Sequence, residues 1–205
     1  MTISAPVALG FDTSGPYCAA AVVQGGAVLA HGAEDMTKGQ AERLMDLLAE
    51  TMATAGVDYH DLDAIGVGTG PGNFTGIRIA VSAARGLALG LNIPAVGVSA
   101  FDALQYGTSG TCTAVVDARR GEVYAQSYDP VGLPLTPALI AREAAAGLAT
   151  PVIGLGWEEP KHPAAIAIAH LAAQRFRHVE SRPAPLYLRP ADAAPARDRG
   201  PNILP

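Results

Sequence analysis

Charge is scarce in this chain: Asp, Glu, Lys and Arg make up 16% of its 205 residues, against 49% hydrophobic ones. That balance excludes a disordered polyelectrolyte and leaves ample material for a buried core. The 19 acids outnumber the 14 Lys and Arg for a net charge of −5, and the bases cluster only at Arg119-Arg120 and at Arg175, Arg177 and His178. Autonomous nucleic-acid binding is therefore disfavoured. Cysteine is scarcer still. Cys18 and Cys112 lie among small or β-branched neighbours, which predicts two buried thiols rather than a disulfide. No apolar run reaches the roughly 18 to 20 residues that span a bilayer, and Met1-Thr2-Ile3-Ser4 lacks the basic region of a secretory signal. The expectation is a cytoplasmic protein that touches no membrane.

Several catalytic signatures are missing as well. His31, His60, His162, His170 and His178 never form HxxxH or HxH, so no metal constellation is visible. No Gly-Lys-Ser/Thr closes a phosphate loop, and Gly68-Thr69-Gly70 misses the dinucleotide fingerprint because Asn73 stands where its third glycine belongs. GxSxG is absent, which removes the nucleophile elbow of the α/β hydrolases. Asp12, Asp102, Asp117 and Glu122 each follow or flank a strand, yet each also suits a cap or a turn, and none is assigned as a general base.

What is present has a clear rhythm. Apolar segments Val7–Phe11, Cys18–Val23 and Ala27–His31, separated by Ser-Gly-Pro and Gln-Gly-Gly, predict an antiparallel meander. Gln40 to Ala55 turns to a helical period with Ala41, Leu44, Met45, Leu48 and Met52 on one stripe. Strand Ala64–Val67, a glycine loop, a helix opening on Gly76-Ile77-Arg78 and running to Leu91, and strand Ala95–Val98 then predict a right-handed βαβ unit. Ser99 is placed to cap a short helix, and Thr111–Val116 with Glu122–Ser127 reads as a hairpin. A helix near Ile140–Gly147, a strand Pro151–Leu155 and a helix Pro163–Phe176 with proline at its first position follow. The expected fold class is α/β, with a mixed five-stranded sheet and helices in an N-terminal ribonuclease H-like lobe (1–100). A reduced α/β lobe (101–189) and an extended proline-rich tail (190–205) complete it. No internal repeat shows in the sequence.

Two loops invite chemistry. Asp12-Thr13-Ser14 ends the first strand, where an acid and hydroxyls could meet metal and phosphate, although the tripeptide equally closes a turn. Gly70, Gly72 and Asn73 belong to a loop whose glycine density permits close approach at a helix N-terminus, as an anion cradle or as a packing device. The helix behind that loop is nearly bare of bulk. Its Ile77, Val81, Ala84, Arg85 and Ala88, with Leu44, Leu47, Leu48 and Met52 of the preceding helix, are expected to form a two-helix partner surface. On that reading Leu48→Arg or Ala84→Arg breaks pairing without unfolding the sheet, and Asp12→Ala costs little stability.

Taken together, Gly10-Phe11-Asp12-Thr13-Ser14, Gly70-Pro71-Gly72-Asn73-Phe74-Thr75-Gly76-Ile77-Arg78, the hairpin Asp117-Ala118-Arg119-Arg120-Gly121-Glu122-Val123-Tyr124 and Tyr187-Leu188-Arg189 resemble the TsaB (YeaZ) family. Asn73 departs from the serine usual there. The resemblance implies an actin-like ATPase fold and a role in forming N6-threonylcarbamoyladenosine at position 37 of ANN-decoding tRNAs. It implies a non-catalytic subunit that pairs with itself and, through the same helices, with the glycoprotease-like enzyme TsaD, whose metal-binding HxxxH is replaced here by Val98-Ser99-Ala100-Phe101-Asp102. TsaE would join that complex, and tRNA would be reached only through it. No cofactor is implied for the chain alone, with ATP or ADP at the interface shared with the partner. A glycoprotease-type (M22) peptidase and a small ATP-binding, kinase-like enzyme remain as alternatives.

Overall fold

A computed structural model describes residues 5–188. The tail expected over 190–205, and Arg189, lie outside the described residues. The meander forms β1 (Val7–Asp12), β2 (Tyr17–Gln24) and β3 (Ala27–Asp35), and is followed by α1 (Gln40–Ala55), β4 (Ala64–Gly68), α2 (Phe74–Leu91) and β5 (Ala95–Val98). These strands make one sheet in the order β3-β2-β1-β4-β5, with β1, β2 and β3 antiparallel and β1, β4 and β5 parallel.

The period-2 pattern of the strands sorts this sheet into two cores. Leu9, Phe11, Cys18, Ala20, Val22, Ile65 and Val67 face α1 and α2. Ala8, Ala19, Ala21, Val23 and Ala64 face α5 (Ala164–Arg175) on the other side. Small residues decide how close that second helix comes: a Cβ on Gly10 or Gly66 would run into the backbone of α5 at Ala165, Ile168 and Ala169. The expectation that residues 101–189 form a separate lobe is corrected here, because α5 closes the first sheet. Alanine-rich α5 has the slim profile that a helix needs to lie flat on glycine-notched strands.

α3 (Ala100–Gln105) is capped by Ser99, whose Oγ accepts from the Asp102 amide at 3.0 Å. The hairpin β6 (Cys112–Arg119) and β7 (Glu122–Tyr128) turns through Arg120-Gly121, both at positive φ, as a tight two-residue connection demands. β8 (Ala138–Ala141), α4 (Arg142–Ala146) and β9 (Val152–Ile153) complete a second sheet in the order β8-β7-β6-β9. Its meander followed by a parallel strand repeats the order of the first sheet without the fifth strand. Sequence shows no such repeat because the topology is kept by pattern rather than by residue identity. The single helix expected over 140–147 is a strand followed by one short helix, since Leu139 and Ile140 continue the pairing to β7.

Helix α2 begins three residues earlier than its apolar stripe suggests. Asn73 is its N-cap, with Oδ1 accepting from the Gly76 amide at 3.0 Å. Pro163 likewise sits at the N-cap of α5 rather than at its first position. At 18 residues α2 is also long and apolar enough by composition to cross a membrane, against the expectation that no run would be. Its inward face is nonetheless built into the first core, and its outward face carries Arg78 and Arg85.

Candidate functional site

Asp12 ends β1 with its carboxylate buried, 3% exposed. Its Oδ1 accepts from the Ser14 amide at 2.9 Å, and its Oδ2 accepts from Ser14 Oγ at 2.9 Å and from the Tyr17 hydroxyl at 2.6 Å. Burial raises its pKa above the ordinary carboxylate value, with the Tyr17 and Ser14 bonds pulling the other way. Burial also lifts the Tyr17 phenol well above its usual range, helped by the Asp12 charge. Both carboxylate oxygens are thus engaged by the chain itself.

The glycine loop lies directly on this turn. The Asn73 amide donates to the Ser14 carbonyl at 2.7 Å, and Thr13 Oγ1 donates to the Gly76 carbonyl at 2.6 Å. A Cβ on Gly76 would overlap the Thr13 carbonyl oxygen, one on Gly72 the Ser14 carbonyl, and one on Gly68 the Asp12 carboxylate. Gly70 precedes a cis Pro71, and its carbonyl accepts from the Ala100 amide at 2.7 Å. The structure therefore brings Asp12, Thr13, Ser14, Gly70, Gly72 and Asn73 together, as the sequence reading expects, but in contact with one another. The amides of Ser14, Asn73 and Gly76 are thus committed internally. Glycine at positions 68, 72 and 76 lets the loop pack directly on the Asp12 turn. Asp12→Ala is consequently expected to cost stability, since it would leave three buried donors without an acceptor.

The expected partner surface requires a correction. Leu44, Leu47, Leu48, Met52, Ile77, Val81, Ala84 and Ala88 are 9% exposed or less and form the core beneath the first sheet. Only Arg85 of that set faces out. Sequence periodicity finds an apolar stripe, and the sheet claims it. Beside Arg85, the outward faces are other residues: Glu42, Met45, Asp46 and Ala49 on α1, and Phe74, Arg78, Ser82, Gly86 and Leu89 on α2. Met45 and Leu89 are 45% and 76% exposed, large apolar groups without cover. Arg43 of α1 is held by Glu34 and Glu50 at 2.6 Å each.

Sequence reasoning missed a second polar group. Asp102, from α3, accepts from the Tyr128 hydroxyl at 2.9 Å and pairs with Arg175 of α5 at 2.9 Å, joining the two sheets. Nothing in the local pattern signals it, because its three members are 26 and 73 residues apart in sequence. Another group stacks Tyr106 on His170 at 5.6 Å, with His162 alongside. Among the described residues, no three His, Cys, Asp or Glu side chains converge as metal ligands. Cys18 and Cys112 are free and buried.

Comparison with known proteins agrees with this architecture. A family model described as "TsaD: tRNA N6-adenosine threonylcarbamoyltransferase" matches residues 33–188. The tRNA threonylcarbamoyladenosine biosynthesis protein TsaB of Escherichia coli is 35% identical over 125 residues, 58% of this chain and 54% of that protein. The chain thus spans about half the length of that relative. The uncharacterized protein Rv3421c of Mycobacterium tuberculosis is 34% identical over 200 residues, covering 91% of this chain and 93% of its own length. YeaZ from Pseudomonas aeruginosa superposes with a TM-score of 0.71 at 28% identity, over 89% of this chain and the whole of that one. With the fold, the residues 33–188 that match the TsaD model and the relatives named TsaB and YeaZ, this chain belongs to the TsaB (YeaZ) family and has an actin-like ATPase fold.

Proposed function

We propose that this chain takes part in forming N6-threonylcarbamoyladenosine at position 37 of ANN-decoding tRNAs, as a non-catalytic partner that activates TsaD. The observation that carries the reading is the paired outward face of α1 and α2. One helix presents the acids Glu42 and Asp46, and the other presents Arg78 and Arg85 with no acid in its length. Two such pairs brought together about a two-fold axis, α1 of each against α2 of the other, set unlike charges opposite each other around Met45 and Leu89. Gly86 and Gly90 have nothing within 4 Å of a notional Cβ, so a second helix can approach α2 closely there. The same face serves a second copy when the chain is alone and TsaD when it is present.

Within this reading TsaE joins the complex, tRNA is engaged only through it, and the work is done in the cytoplasm. The isolated chain is assigned no cofactor, because the Asp12 turn is filled by its own residues; a site for ATP or ADP belongs at the surface shared with TsaD. The names carried by the TsaB relatives support the pathway, and the exposed, charge-patterned helices support the role of a partner. Reconstitution of tRNA modification with TsaD and TsaE, with and without this chain, tests it. Modification should depend on the chain and fall at least tenfold when Arg85→Glu reverses the sign of the outward stripe. Undiminished modification without the chain would overturn the reading.

A further inference from the structure

Residues Pro183–Leu188 run as extended chain between the two sheets without joining either. Their alternation is the key. Leu186 and Leu188 pack on the core of the second sheet, against a cluster that includes Phe101, Cys112 and Tyr128. Tyr187, between them, points to the first: its ring stacks on Phe74 of α2 at 4.9 Å, and its hydroxyl accepts from Arg78 Nε at 2.9 Å. In extended backbone neighbouring side chains leave on opposite sides, so three consecutive residues can grip two bodies at once. The Leu186 amide donates to the Thr69 carbonyl just past β4 at 2.8 Å, and Pro183 covers Gly97 of β5.

We propose that Pro183–Leu188 is a strap that fixes the angle between the two sheets, with Tyr187 as its pin. The pin is held from outside the core. Phe74 and Tyr187 are each close to half exposed, and the Arg78 guanidinium lies 3.9 Å over the Phe74 ring. Such a stack combines ring contact with a cation over its face and stays within reach of solvent. It can let go without opening either core. The strap acts alongside the Asp102 tie between Tyr128 and Arg175, so releasing it loosens the hinge without separating the halves. Arg78 also stands on the outward stripe of α2, which makes this surface the place where an event outside the protein reaches the strap.

The test uses the full chain and two measurements. Hydrogen exchange in Tyr187→Ala should speed up about tenfold at Leu186 and along α3 and β6, with β2 unchanged, because opening is local to the strap. Tyr187→Phe keeps the stack and should stay near the parent protein. In parallel, spin labels on Ala49→Cys in α1 and Glu143→Cys in α4, both exposed, report the distance between the halves; buried Cys18 and Cys112 are shielded from labelling. The distance distribution should be narrow in the parent and broaden in Tyr187→Ala. An unchanged distribution, or exchange accelerated equally in β2, would overturn the strap.

Discussion

The hydroxyl of Tyr17 donates to Oδ2 of Asp12 at 2.6 Å, across the four-residue turn that joins β1 to β2, and seals a buried carboxylate inside its own turn. An acid left open to solvent could receive a metal, whereas this one is supplied with three donors by its neighbours.

Tyr17→Phe removes one donor from a buried charge and should lower unfolding free energy by about 2 kcal/mol. Asp12→Ala strands the Ser14 amide, the Ser14 hydroxyl and the Tyr17 hydroxyl together, and should cost about 3 kcal/mol or more. Urea unfolding of both variants checks the order. Equal stability of Asp12→Ala and the parent would mean that the turn is open.

Leu48→Arg and Ala84→Arg now fall in the core and should abolish the cooperative melt, since each buries an unpaired guanidinium. Arg85→Glu and Leu89→Arg lie on exposed positions and should keep the melting temperature within a degree or so. Loss of TsaD capture in a pull-down with an unchanged melt is the expected signature of these two.

Glycines separate packing from partnering. Gly76→Ala would drive a methyl into the Thr13 carbonyl and should destabilise by about 1 to 3 kcal/mol. Gly86→Ala meets open space in a helix interior and should stabilise the isolated chain by roughly 0.5 to 1 kcal/mol. Gly86→Leu should fold normally and weaken pairing, because its side chain would stand where the partner helix approaches. Calorimetric melts and sedimentation read the two effects separately.

His170 sets a pH dependence. It is buried beside Tyr106 and His162, with a bond to the backbone of Gly25, and burial lowers its pKa below the free value of 6.5. The unfolded chain therefore takes up a proton at a pH where the folded chain does not. The stability it contributes is complete above about pH 6.5 and is lost as pH falls through the lowered value. Burial lowers His31 in the same direction, so His170→Gln should reduce the acid-side slope without flattening it. If His170 were solvated, the parent and His170→Gln would show the same slope of unfolding free energy from pH 7.5 to 5.

Most strands and helices are legible in the sequence because their signals are local. Short apolar runs bounded by turn residues give β1 and β2, the 3.6-residue period gives α1 over Gln40–Ala55, and Ser99 announces α3. β8 escapes because Leu139 and Ile140 are too short a run to distinguish a strand from a helix start without β7 beside them. Of the candidate site, the residues that meet at Asp12 and the glycine loop are readable from their motifs, and their mutual saturation is not, since Tyr17 Oη and Asp12 Oδ2 are brought together only by the hairpin.

The sequence by itself determined the order of elements, the glycine-dense turn at the start of α2 and the family these motifs share, all of which follow from propensity, period and backbone freedom over short stretches. Only the tertiary structure decided which face of α1 and α2 is left exposed, that α5 returns to cover the first sheet, and that Leu186, Tyr187 and Leu188 touch both halves. An apolar stripe records that a helix buries a side and never names what covers it; that is settled when the sheet takes one face and leaves Arg85 and Leu89 on the other.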